Sequence, residues 1–248
     1  MTRKSRPAAL PALALLAGLA ACGAGDAPDR DAGEKARAAA NSGAPAPDLA
    51  PPGAAAMDAA EDPNAPAPEA RTGTIAVAGA TAEITFKRFE TPPGFPLQFV
   101  TYVPEDMIVE TLKAGKAEGV RVISNIGGRR NESAYVWAMF HPPGTAEARA
   151  REAYAGLVAK RGNPAEVPER ARRFAWAIAE HEFRYQPKQG ETRVGRLALG
   201  RRGDRLFHVI IEYPEDLAGE FVPRVNRILE DWRWKDSGGR IGDARSSR

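Results

Sequence analysis

Large apolar residues are unevenly spread along the chain. Between Gly23 and Ala70 only Leu49 and Met57 occur, whereas from Arg71 to Trp234 they return at regular intervals. In that second region a period of two predicts strands over AEITFKRF (82–89), LQFVTYV (97–103), GVRVISNI (119–126), AYVWAMFH (134–141), RFAWAIAEHEF (173–183), RVGRLALG (193–200) and RLFHVIIEY (205–213). Gly127 to Asn131 and Arg201 to Asp204 supply residues that tolerate positive φ, and so predict two hairpins. Along AYVWAMFH, Tyr135, Trp137 and Met139 alternate with Val136, Ala138 and Phe140. Both faces of that strand are apolar, which places it centrally in a sheet covered on both sides.

A period of 3.6 predicts the covers. In 145–162, Ala150, Ala153, Tyr154, Leu157 and Val158 form one stripe, with Thr145 placed to cap the start and Gly162 the end. In 216–232, Leu217, Phe221, Val225, Ile228 and Trp232 form another, and Pro223 requires the regular part to begin only shortly before it. Strands arranged in hairpins with only two long helices predict an α+β fold, a mostly antiparallel sheet flanked by helices, over a doubly wound parallel one.

The region before Arg71 has a different character. Arg3, Lys4 and Arg6 precede an uncharged, Ala- and Leu-rich run from Ala8 to Ala21, the layout of an export signal and too short to span a bilayer. Leu19-Ala20-Ala21-Cys22 resembles the lipobox of bacterial lipoproteins. The resemblance implies a signal peptide at 1–21, cleavage before Cys22, and diacylglyceryl and acyl (palmitate-type) attachment at Cys22. With more than one chain, at about 0.8 kcal/mol per buried CH₂, anchoring is stable. Gly23 stands where an Asp favours inner-membrane retention in that family, so the expected location is the periplasmic face of the outer membrane.

Residues 23–70 hold 18 Ala and 8 Pro, too little apolar surface to offset chain entropy, and predict a disordered tether over 22–70. Its nine acids against three bases give −6, while Arg71 onward carries 29 Lys and Arg against 23 Asp and Glu, or +6. An acidic tether thus precedes a basic domain at 71–236, and a polar tail is expected at 237–248. With Cys22 the sole cysteine, no disulfide is available and the domain must rely on its core.

A second resemblance rests on YVPEDM (102–107), the mid-chain helix, EYPED (212–216) and the closing FVPRVNRILEDWRW (221–234). This order is similar to the PsbP-like fold, including bacterial lipoproteins of the DcrB type, although Met107 stands where that family commonly carries Trp. The resemblance implies an α/β/α sandwich acting as a non-enzymatic adaptor or binding domain at a membrane surface.

No residue set names a reaction. There is no nucleophile elbow and no free thiol beyond Cys22, and the glycines of GAGDAPDRDAGEK lie in the tether, without the strand and helix that a phosphate loop requires. His141, His181 and His208 lack the close spacing of metal ligands, and strand alternation sends Glu180 and Glu182 to the face opposite His181. Solvated or core-edge histidines are therefore expected, and no cofactor, although His141 and His208 both lie in or beside strands and could meet. Arg129, Arg130, Arg170, Arg172, Arg173, Arg201, Arg202 and Arg205 fall at turns or strand starts. On one edge they would form a basic rim for anionic lipid or an acidic envelope protein; the plainer expectation is an arginine-rich surface. Trp137, Trp176, Trp232 and Trp234 are expected in the core. An exported chain excludes nucleic acid as partner. The leading expectation is a lipid-anchored periplasmic binding domain, with a small-ligand or metal-binding lipoprotein and an envelope hydrolase as alternatives.

Overall fold

The computed structural model describes residues 67–77, 79–114 and 117–241. The leader at 1–21, Cys22, the tether up to residue 66 and residues 242–248 lie outside the described residues. Within them the chain forms β1 (Ala70–Val77), β2 (Ala80–Glu90), β3 (Phe99–Pro104), β4 (Met107–Ala114), β5 (Ala117–Ser124), β6 (Asn131–Phe140), α1 (Glu147–Ala159), β7 (Ala177–Tyr185), β8 (Arg193–Arg202), β9 (Arg205–Pro214), α2 (Ala218–Asp231) and β10 (Arg233–Trp234).

The strands make a small sheet of order β1-β2-β3-β10 and a large one of order β4-β5-β6-β9-β8-β7. Every pairing is antiparallel. The architecture is α+β and dominated by sheet. β6 lies inside the large sheet, as its two apolar faces require. Gly127 and Gly128, at φ 62° and 72°, turn the chain between β5 and β6, and Gly203, at φ 56°, turns it between β8 and β9.

α2 fills the space between the sheets. Phe221, Val225, Ile228 and Leu229 are buried with Val136, Ala138 and Phe140 of β6 and Phe207, Val209 and Ile211 of β9. Toward the small sheet, Thr101 donates a hydrogen bond to the Ile228 carbonyl at 2.7 Å. The rings of Phe99 and Trp232 stack with centroids 3.7 Å apart. α1 covers the opposite face of the large sheet through Ala150, Tyr154 and Val158.

Several local expectations are corrected. α2 begins at Ala218, five residues ahead of Pro223, so the proline lies inside the helix; a 3-10 turn over Glu215–Leu217 leads into it. Thr145 does not cap α1: its hydroxyl donates to the Pro142 carbonyl at 2.7 Å, and Ala146 holds the cap position. Ala153 faces solvent, which narrows the stripe. β1, β4 and β10 were not anticipated. β1 buries only Ile75, β4 is an edge strand carrying Glu110 and Lys113, and β10 is two residues long. Residues 237–241 return to the domain instead of trailing from it: Gly238 N–H donates to the Trp234 carbonyl at 2.7 Å and Ile241 is 1% exposed.

The start of the domain is held at several points. The Tyr102 hydroxyl donates to the Pro68 carbonyl at 2.8 Å, and Arg88 N–H donates to the Glu69 carbonyl at 2.8 Å. Arg71 pairs with Asp231 of α2 while its guanidinium lies 4.1 Å over the Tyr102 ring.

Candidate functional site

The strand register writes out the α1 face of the large sheet as rows. One row reads Ile123, Tyr135, Glu212, Gly195, Phe183; the next Arg121, Trp137, Ile210, Leu197, His181; the third Gly119, Met139, His208, Leu199, Ala179. A fourth begins where His141 N–H donates to the Leu206 carbonyl at 2.9 Å, extending the ladder one rung past β6. Because side chains alternate, Met139 and His141 share this face, and His208 stands directly across from Met139.

In the first row Glu212 is the centre of four hydrogen bonds, three of them on Oε2. It accepts Arg161 Nε at 2.9 Å and NH2 at 2.6 Å, the Tyr135 hydroxyl at 2.9 Å and the Tyr185 hydroxyl at 2.8 Å. Burial works against the Arg161 charge, yet Glu212 and Tyr135 outweigh it and hold its pKa above the ordinary value. Burial, then the Glu212 charge, raises Tyr135, and burial followed by the Glu212 hydrogen bond pushes Tyr185 up to about 12. Gly195, across from Glu212, admits no side chain: a Cβ there would lie 1.9 Å from the Ile211 carbonyl oxygen and 2.8 Å from the Phe183 ring.

On the opposite face Glu180, fully buried, accepts the N–H groups of Arg173 and Phe174 at 3.2 and 3.1 Å and Arg196 NH1 at 2.7 Å. Arg196 also reaches Glu182 at 3.2 Å. His181 points the other way, as alternation requires, and its Nδ1 is 2.9 Å from the Tyr154 hydroxyl on α1. Burial lowers its pKa.

His141 and His208 do meet. Their ring centroids are 5.4 Å apart with planes at 70°. His208 is 3% exposed and His141 8%, so the expectation of solvated or core-edge rings is corrected for this pair. Nδ1 and Nε2 of His208 and Nε2 of His141 are buried without a hydrogen-bond partner among the described residues. Burial, reinforced by His141 and Arg161, pushes the His208 imidazole down to about 3; burial lowers His141 too. Both rings are therefore neutral near pH 7, with lone pairs available as ligands. The indole Nε1 of Trp137, on the same face, is likewise buried and without partner, and lies 3.0 Å from where a Gly119 Cβ would stand. Among the described residues no group of three or more His, Cys, Asp or Glu converges.

The arginines do not share an edge. The 127–130 turn precedes the start of β6, whereas the 201–204 turn precedes the start of β9, and Phe140↔Phe207 pairing sets those starts at opposite ends of the sheet. Most are also engaged: Arg130 with Glu110 and Glu132, Arg172 with Glu166, Arg173 with Asn226, Arg201 with Glu147, Arg202 with Asp236 and Arg205 with Asp204. Trp176, Trp232 and Trp234 are buried in the core between the sheets, and Trp137 is half-buried on the α1 face. Cys22 lies outside the described residues.

The Arg161–Glu212 cage was not anticipated. Its one signal was Glu212 within the apolar run FHVIIEY, on the face that Tyr135 shares. No family model matches the chain, and neither a curated protein nor a solved structure does.

Proposed function

We propose that this chain is a lipid-anchored envelope protein, held through Cys22, whose domain binds a ligand or partner and does not turn over a substrate. The observation that carries the non-catalytic half is the state of its buried acids. Glu180 accepts three hydrogen bonds and Glu212 four. Carboxylates tied in this way hold elements together, and burial keeps both away from a substrate, Glu180 being 0% and Glu212 7% exposed. The export leader, the lipobox and Gly23 favour the periplasmic face of the outer membrane. A large antiparallel sheet with a helix on each face supports the PsbP-like reading and its adaptor role.

Cys22→Ser should move the protein from the membrane pellet to the soluble fraction after cell disruption. Retention of the variant in the pellet would remove the lipid anchor. Turnover by the purified chain on a panel of ester, peptide, phosphate and glycoside substrates would remove the binding reading. The metal-binding alternative is favoured by one specific feature, the paired histidines.

A further inference from the structure

The row across β5, β6 and β9 carries more than packing. His141 and His208 lie on one face with Met139, which is directly opposite His208 in the ladder and two residues from His141 along β6. Several buried polar groups in the domain lack partners, among them the indoles of Trp137, Trp176 and Trp232. An indole N–H can only donate, whereas an imidazole nitrogen and a thioether sulfur both offer lone pairs. Leaving a buried polar atom unsatisfied is costly, so a ring with both nitrogens unsatisfied calls for a further partner.

The geometry points to a site for monovalent copper formed by His141, His208 and Met139. This deepens the binding reading above and rests on it, since it names what the domain would hold. A metal about 2.0 Å from an imidazole nitrogen stands about 3.2 Å from the ring centroid. A centroid separation of 5.4 Å lies within the span that one ion bridges, at an N–metal–N angle of about 115° once the rings turn their nitrogens toward it.

Two imidazoles and a thioether are soft, uncharged ligands, and thioether selects Cu(I) over the harder divalent ions. Charge decides in the same direction. No carboxylate or thiolate joins the set among the described residues. The charged group felt at His208 is Arg161, which is paired with Glu212. The cost of placing an ion in a buried site grows as the square of its charge, so a divalent ion without an anionic ligand is disfavoured far more than a monovalent one.

The test uses the full chain carrying Cys22→Ser, which removes its only thiol, purified in detergent under anaerobic, reducing conditions. Titrated with Cu(I) against the chromogenic chelator bicinchoninate, it should withdraw one equivalent. Changes beside a metal cost about 10–100-fold in affinity, so loss of a ligand through His208→Leu should cost at least about 100-fold. Met139→Leu, at a partly exposed position that keeps the fold, should weaken binding and abolish sulfur scattering in the copper absorption spectrum.

A folded chain that leaves all copper with bicinchoninate overturns the assignment, as does binding that neither Met139→Leu nor His141→Leu weakens. Preference for Zn(II) over Cu(I) overturns the soft-ion assignment. These outcomes leave the membrane-fractionation and turnover results untouched, so failure of the copper site and failure of the binding reading are separately visible.

Discussion

At the scale of single residues, the α1 face sets two solutions to buried polarity side by side. Glu212 and Arg161 are buried as an ion pair because each answers the other, with the Tyr135 hydroxyl added on Oε2 and the Tyr185 hydroxyl on Oε1. Arg161→Met should cost about 3–5 kcal/mol in urea unfolding, since it leaves Glu212 buried without its counter-charge. Adding Glu212→Leu should recover much of that loss; a double variant no better than Arg161→Met would mean the pair is not coupled. His208 is buried by the other route, as a neutral ring. Its pKa is near 3 in the folded chain against 6.5 when free. The unfolded chain therefore takes up a proton that the folded chain refuses. Stability is fully present above pH 6.5 and falls as pH drops toward 3. Between pH 7 and 5 the loss is set by the unfolded value and comes to about 2 kcal/mol. His208→Leu should flatten that slope; equal slopes in variant and parent would show that the ring is protonated when folded.

At the scale of elements, legibility in the sequence followed how much each strand buries. β6 and β9, interior and covered, carry continuous apolar runs and were visible from alternation alone. β4 and β1 are edge strands with polar faces, and their period is too weak to separate from loop. Helix α2 was visible by its stripe, but its start was not, because Pro223 reads as an N-terminal residue until packing on β3 outweighs its missing N–H. The candidate site was legible only in part. That His141 and His208 lie in or beside strands could be read, but their meeting depended on the Phe140↔Phe207 register, which connects residues 67 positions apart. Glycines report the same distinction between local and tertiary demands. Gly195→Ala would press a Cβ against backbone at 1.9 Å, and should cost at least about 3 kcal/mol or prevent folding. Gly156→Ala, on the exposed face of α1 with nothing within 4 Å, should instead stabilise by about 0.5–1 kcal/mol. Urea midpoints moving in the same direction for both would contradict the packing described for β8 and β9.

At the scale of the whole molecule, the two sheets do not act as separate bodies, because α2 is the wall they share: Thr101 and Phe99 hold it from one side, Tyr213 and Phe207 from the other. The chain enters this assembly at residues 67–71, where Pro68, Glu69 and Arg71 are each fastened to a different element, β3, β2 and α2. The consequence is mechanical. Tension arriving from the amino-terminal side meets the Pro68 and Glu69 attachments before the first rung, Ala70↔Lys87, and the Arg71–Asp231 pair backs the second, so β1 is not peeled from β2 by the ladder bonds alone. A protein moored to a surface by that end would keep its fold under strain, and the Tyr102–Pro68 hydrogen bond would be the first part to yield.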